Sequence, residues 1–219
     1  MPVIMKRLLV FTLIATIPLT VSTLVAQQTN PVHAHIGHVM DGFRSTPDGL
    51  GLLPTAIAEA KIAAQHATLV AGSADNLDAM KRHAGHVLHA VDPSGMSNGP
   101  GLGFGVKAAA VGAARHIRMA ADSEGASENV TTHTQHVETS ANNTVERADE
   151  LIALAKAIQE ATTVANAATA AERLSTLAAQ LMTGQDANGD GRIGWQENEG
   201  GLQQAEQHAN IMKKGEGLP

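Results

Sequence analysis

The chain has no cysteine and no tyrosine, and its aromatic residues are one tryptophan and three phenylalanines among 219 residues. Without cysteine it can form no disulfide, no thiolate metal site and no covalent c-type haem attachment. Aromatic residues make up 2% of the chain and hydrophobic residues 43%, with alanine contributing much of the latter. Because alanine is the best helix former, a core of such small side chains favours closely packed helices over a sheet.

Residues 1–26 are typical of an export signal. Lys6 and Arg7 precede an apolar run from Leu8 to Leu24, and Ala26 is a small residue at a cleavage position. We therefore expect a periplasmic or secreted protein. If the signal is not cleaved, the apolar run is long enough to serve as a membrane anchor. The net charge of −6 and the lack of a basic tract argue against a nucleic-acid partner.

Helical periodicity, interrupted by glycine and proline, predicts helices over 33–43, 54–70, 75–91, 102–121 and 127–182. The last segment can form one long helix or two, and Thr162-Thr163-Val164 is the expected break if there are two, because three β-branched residues follow one another. No alternating strand pattern is present. We predict an all-α fold: an Ala-rich helical bundle over 33–160 after a linker at 27–32, then a C-terminal unit over 161–219. The sequence leaves a homo-oligomer open.

The C-terminal unit contains a stretch that resembles an EF-hand calcium loop, Asp186-Ala-Asn-Gly-Asp-Gly-Arg-Ile-Gly-Trp-Gln-Glu197. The resemblance covers these twelve residues and implies a single helix-loop-helix that binds Ca²⁺. The ligands it implies are the side chains of Asp186, Asn188 and Asp190, the carbonyl of Arg192 and both carboxylate oxygens of Glu197. Since no second loop is present, the resemblance implies weak binding, about 10⁻⁴–10⁻³ M.

Histidines are the other prominent feature, because ten of the eleven lie between His33 and His136. Three H-x-x-H pairs occur at 35/38, 83/86 and 133/136, and residues three apart share one helical face. Facing pairs from neighbouring helices would surround one ion, so we expect at least two pairs to approach each other. The candidate ligands are His35, His38, His66, His83, His86, His89, His116, His133 and His136. We interpret His33 and His208 as lone structural histidines, either half-exposed or satisfied in the core, and not as ligands.

Imidazole donors fit copper, zinc or nickel, and paired histidines are also the axial ligands of haem b. The alternative is a calcium-stabilised structural or protein-interaction module whose histidines respond to pH. Catalytic motifs such as G-x-S-x-G and H-E-x-x-H are absent from the sequence, and Glu59 is the one carboxylate considered as a partner for His66. We therefore predict a binding protein for metal ions and not an enzyme.

Overall fold

The computed structural model describes residues 30–219, and in this part of the chain all regular secondary structure is helical, without strands. The predicted export signal and residues 27–29 of the predicted linker lie outside the described residues. Seven α-helices follow one another: α1 (Pro31–Met40), α2 (Leu52–Ala71), α3 (Leu77–Val91), α4 (Val106–Asp122), α5 (Glu128–Glu160), α6 (Val164–Thr183) and α7 (Leu202–Gly215). The prediction of a helical bundle is confirmed at this level.

Side chains at the helix starts explain several of these boundaries. The side-chain oxygen of Asn30 accepts a hydrogen bond from Val32 N–H at 3.0 Å, and Pro31 occupies the first turn. Asn76 caps α3 in the same way, one residue after the predicted cap. Ser127 caps α5 and Thr163 caps α6. The break between α5 and α6 therefore falls where the β-branched residues predicted it, and it is enforced by a new N-cap.

Several predicted helix boundaries differ from the structure: α1 ends at Met40 rather than Phe43, and α2 begins at Leu52 rather than Pro54. Helix α1 begins at Pro31, inside the segment predicted as a linker, because Asn30 and Pro31 together form an N-terminal cap. The segment 102–105 is not helical, although a helix was predicted from Leu102. Gly101, Gly103 and Gly105 there adopt positive φ angles of 123°, 75° and 88°, which a helix does not contain.

A buried carboxylate holds this glycine-rich loop. Glu59 on α2 is fully buried and accepts backbone N–H bonds from Leu102 at 3.1 Å, Phe104 at 2.9 Å and Gly105 at 3.0 Å. A Cβ on Gly101 would come within 2.4 Å of the Glu59 carboxylate, so only glycine fits. Glu59 is therefore a structural residue committed to this loop, and the proposed pairing with His66 is not observed.

Helices α2 and α5 each pack against α3, α4, α6 and α7, with few contacts between α2 and α5 themselves. The buried face of α2 is rich in alanine and leucine, which lets neighbouring helices approach closely, whereas that of α5 combines alanine and valine with polar residues such as Asn143, Thr144 and Arg147. Helix α5 spans 33 residues, about 50 Å at 1.5 Å per residue. None of the helices in residues 30–219 combines the length and hydropathy that a membrane crossing requires.

The register between α4 and α5 fixes which parts of the bundle are neighbours. The two helices are antiparallel, since Lys107 pairs with Asp149 and Arg118 with Glu138. At the N-terminal end of α5, the Thr134 hydroxyl donates to the Ile117 carbonyl at 3.2 Å. At the other end, Gln159 donates to the Lys81 carbonyl on α3. His116 and His133 are thus at one end of α5, and the histidines of α3 are near the other.

Candidate metal centres

Nine histidines gather into three separate triads, and each triad joins two helices. The first triad is His35 and His38 on α1 with His116 on α4. The second is His83 and His86 on α3 with His66 on α2. The third is His133 and His136 on α5 with His208 on α7. In every triad an H-x-x-H pair supplies two rings from one helical face, and a single histidine from a neighbouring helix supplies the third.

The three triads share one geometry, in which ring Nδ1 atoms converge. His116 Nδ1 lies 3.0 Å from His35 Nδ1 and 3.4 Å from His38 Nδ1. In the second triad, His66 Nδ1 lies 3.1 Å from His83 Nδ1 and 3.3 Å from His86 Nδ1. His208 Nδ1 in the third triad is 3.1 Å from the Nδ1 atoms of both His133 and His136.

Hydrogen bonding alone explains these distances poorly. A ring nitrogen carries either one hydrogen or one lone pair, so the central imidazole cannot make two good hydrogen bonds through the same atom. A cation accepts all three lone pairs at once. With metal–nitrogen bonds of 2.0–2.1 Å, the separations of 3.0–3.4 Å between the single histidine and each member of its pair correspond to nitrogen–metal–nitrogen angles of roughly 94–112°, close to tetrahedral. All three ligand nitrogens of each triad lie within 4.8 Å of one another, so each triad could hold a metal ion.

The electrostatic environment keeps the donors neutral. Burial, followed by repulsion from the neighbouring His136 and His133, lowers the pKa of His208 to about 4. Burial is also the main cause of the lowered pKa of His66 and of His116, followed by repulsion from the other rings of the same triad. Because metal ions bind the deprotonated imidazole, a lowered pKa leaves the lone pairs available at neutral pH.

The H-x-x-H pairs were correctly singled out, but the way they combine was not predicted. In residues 30–219, no group of convergent donors contains two pairs, so the expected approach of one pair to another is not observed. Each pair instead faces a lone histidine that lies 81, 17 or 75 positions away. Two of these lone residues, His66 and His116, were predicted as candidates, whereas His208 was predicted to be a structural histidine and not a ligand.

A signal for His208 was present in the sequence. It lies on α7 among the buried residues Ala205, Ala209 and Met212, spaced three or four apart on one helical face. In addition, the sequence has three H-x-x-H pairs, but only two single histidines, His66 and His116, were candidates to complete them, so one pair had no partner. His89 extends the run on α3 but belongs to no triad: its Nδ1 lies 2.7 Å from the Met96 carbonyl, and its ring is buried at 7% exposure.

The connection between α6 and α7 contains the predicted calcium loop. The Asp186 carboxylate accepts N–H bonds from Gly189 at 2.7 Å and Gly191 at 2.9 Å, and Asp190 accepts from Arg192 at 2.9 Å. Glu197 is exposed. The next helix, α7, begins only at Leu202, after a non-helical segment, so the helix does not start within the loop as it does in an EF-hand.

A different carboxylate faces this loop. Glu199 is buried at 3% exposure, and its side chain accepts hydrogen bonds from Asn188 Nδ2 at 2.5 Å and from Gly194 N–H at 2.9 Å. The backbone around Glu199 is fixed from α5, because Arg147 donates to the carbonyls of Asn198, Glu199 and Gly200. Sequence spacing alone gave no reason to prefer Glu199 over Glu197. Its burial follows from the position of Arg147.

Among the described residues, the convergent donor groups are the three histidine triads, and the loop carboxylates do not form a fourth. The histidines thus form the more complete candidate site. Comparison with known proteins gives no family model that matches the chain, no similar curated protein and no similar solved structure.

Proposed function

We propose that this protein binds three transition-metal ions, one in each histidine triad. The observation that carries the proposal is the repetition of one geometry: three pairs, each completed by a histidine from another helix, with Nδ1 atoms 3.0–3.4 Å apart. Chance packing of nine histidines has no reason to produce the same arrangement three times. The repetition also favours a binding or storage role over catalysis at a single centre.

Zinc and copper fit the donors best. Three neutral imidazoles with nearly tetrahedral angles match zinc, while copper binds nitrogen donors most strongly among the divalent ions of the first transition row. Haem fits less well than an ion. Its axial nitrogens lie on opposite faces of the macrocycle, about 4 Å apart in a line, and nitrogens at 3.0–3.4 Å leave no slot for the ring.

Elemental analysis tests the proposal directly. Metal-free protein dialysed against zinc, and separately against copper, is expected to retain three ions per chain. His66→Ala, His116→Ala and His208→Ala each remove the single histidine of one triad, so each variant is expected to retain two ions. His33→Ala is the matched control, because His33 lies outside the triads, and it is expected to retain three. Retention of no ion by the wild-type protein would refute the proposal and leave a pH-responsive structural module as the alternative.

We also propose that the loop at Asp186–Glu199 binds calcium weakly. The supporting observation is the ring of N–H bonds around Asp186 and Asp190, which orders the loop with its acidic side chains at alternate positions. In this proposal Asp186, Asn188, Asp190 and the Arg192 carbonyl contribute oxygens. Glu199 closes the shell, because its carboxylate lies against Asn188 whereas Glu197 is exposed.

Calorimetric titration with calcium tests whether Glu199 or Glu197 is the calcium ligand. Glu199→Gln is expected to abolish measurable binding, and Asn188→Ala to weaken it only moderately, since water can replace a neutral oxygen. Glu197→Gln is expected to have little effect. A larger loss of calcium affinity in Glu197→Gln than in Glu199→Gln would favour the twelve-residue EF-hand arrangement instead. If calcium produces no heat change with the wild-type protein, the loop is only a surface turn.

The proposed setting is outside the cytoplasm. The export-signal pattern of residues 1–26 supports it from the sequence alone, and millimolar calcium, which a weak site requires, is found in such compartments. Mass determination of the protein recovered from the producing cell, together with its N-terminal sequence, tests whether the segment is removed.

A further inference from the structure

The three triads differ in the aromatic side chain that lies against them. Trp195 stacks on His136 of the third triad, with ring centroids 4.1 Å apart and planes inclined by 28°. Phe43 contacts the first triad by its edge, 5.5 Å from His38 and 5.1 Å from His116. Among the described residues, no phenylalanine or tryptophan ring packs on the second triad.

This distribution uses most of the aromatic residues that the chain has. Beyond residue 29 the sequence contains only Phe43, Phe104 and Trp195. Two of the three, Phe43 and Trp195, lie against proposed metal ligands, while Phe43 and Phe104 also pack against the hydrophobic core. Most of the aromatic rings beyond residue 29 thus contact the triads.

The indole of Trp195 is held in place by the backbone on both sides. Gly194 N–H donates to the Glu199 carboxylate at 2.9 Å, and the Gln196 carbonyl accepts from Asn143 Nδ2 at 2.8 Å. Asn143 lies on α5, the same helix that carries His136. The backbone on both sides of the indole is therefore held by contacts that do not involve the histidines of the third triad.

A ring stacked on a ligand affects metal binding in two ways. It restricts the imidazole to one orientation before the ion arrives, so less conformational entropy is lost on binding. It also shields one face of the ligand from water. Outer-shell groups that orient metal ligands through hydrogen bonds typically change metal affinity by about 10–100-fold, and we expect a stacked ring to act at the lower end of this range. An edge contact covers less of the ring, and its effect is correspondingly smaller.

Building on the proposed metal binding, we propose that Trp195 is a positioning residue that makes the third triad the tightest of the three sites. The first triad, with Phe43 at its edge, is next, and the second triad is the weakest and the most readily exchanged.

Three single-site proteins test this order. His66→Ala with His116→Ala leaves only the third triad, His66→Ala with His208→Ala leaves only the first, and His116→Ala with His208→Ala leaves only the second. The zinc dissociation constant of each is measured by competition with a chromophoric chelator, with circular dichroism as the check on folding. We expect the third site to bind at least about 10-fold more tightly than the second, with the first site between them.

The role of the indole is then tested within the third-site protein. Trp195→Ala is expected to weaken zinc about 10-fold, and Trp195→Phe to recover part of the loss because a phenyl ring still covers the imidazole. In the second-site protein, Trp195→Ala is expected to leave the zinc dissociation constant unchanged, which separates a local effect from general destabilisation.

Equal dissociation constants at the three sites, or an unchanged constant in Trp195→Ala, would overturn the inference while leaving the proposed function intact. If Trp195→Ala does not fold, the comparison of Trp195→Phe with the parent decides, because a smaller ring must still weaken the third site measurably. Failure of all three folded single-site proteins to bind zinc would instead contradict the proposed function itself.

Discussion

The histidine triads and the acidic loop at Asp186–Glu199 are opposite cases of how a binding site is encoded. The loop is continuous in sequence and its pattern is readable at once, yet its acidic groups do not converge in the described structure. The triads bring together residues up to 81 positions apart, and their nitrogens lie within 3.4 Å of a shared partner. A recognisable local pattern is therefore no guide to how completely a site is formed.

The reason lies in what holds each site. A triad sits on the packed faces of two helices, so the positions of its rings are set by the rigid bundle core. The loop sits on the connection between α6 and α7, where only its C-terminal part is anchored, by Arg147 and Asn143. The side chains of Asp186 and Asp190 are exposed and are ordered by bonds to their own loop.

The largest expected contrast is between the increases in the free energy of unfolding that zinc and calcium produce. An ion at 100 times its dissociation constant stabilises the native state by about 2.7 kcal/mol per site. Zinc at three triads is thus expected to raise the free energy of unfolding by up to about 8 kcal/mol, because each ion cross-links two helices. Calcium at 1 mM, binding at about 10⁻⁴–10⁻³ M, is expected to add only about 1 kcal/mol.

Urea unfolding of metal-free protein, with zinc or calcium added separately, measures both effects. A stabilisation by calcium that equals that of zinc would reverse the comparison and make the loop the dominant structural site. The variant carrying His66→Ala, His116→Ala and His208→Ala together is the control, since it is expected to lose the response to zinc and keep the response to calcium.

The next largest effect concerns Arg147, which holds the connection between α6 and α7 and thereby supports Trp195 at the third triad. Arg147 is 6% exposed and donates at 2.7–2.8 Å to three carbonyls of the connection. Arg147→Met is expected to lower the free energy of unfolding by about 3 kcal/mol, because hydrogen bonds from a charged group contribute about 1.5–3 kcal/mol each and are partly replaced by water. It is also expected to weaken zinc at the third triad, where Trp195 would lose its support.

Arg173→Met provides a matched control for that measurement. Arg173 makes an exposed ion pair with Glu150, which is expected to contribute less than about 1 kcal/mol. Urea unfolding and zinc competition on both variants give the result. A loss of stability in Arg147→Met without any change at the third triad would show that the connection and the triad are energetically independent.

The smallest expected effect is the pH dependence of the metal-free protein. The pKa of His208 is about 4 in the folded state against an ordinary value of 6.5, and the pKa values of His66 and His116 are lowered too. Unfolded histidines take up protons first, so stability is constant above about pH 6.5 and falls as the pH drops toward 4. The loss of stability levels off below about pH 4.

Urea unfolding of metal-free protein at about pH 7.5 and about pH 5 tests this sign. The triple histidine variant is expected to lose less stability over the same interval, because three half-buried imidazoles with lowered pKa values are absent. An equal loss in both proteins would assign the pH dependence to carboxylates instead, including those of the acidic loop.

Much of the fold was determined by local sequence. Glycine, proline and capping residues placed the helix ends to within a few residues, and the β-branched segment at 162–164 marked the break between α5 and α6. These features act over one or two turns, so the sequence determines them directly. The same holds for each H-x-x-H pair, because two histidines three positions apart share a face on any helix.

Tertiary structure alone decided which groups meet. It joined each pair to a single histidine rather than to another pair, brought His208 from α7 to α5, and turned His89 to the Met96 carbonyl. It also buried Glu199 in place of Glu197 and set Trp195 on His136. These outcomes depend on the register between helices distant in sequence, which arises from close packing of many small side chains and leaves no pattern in any one segment.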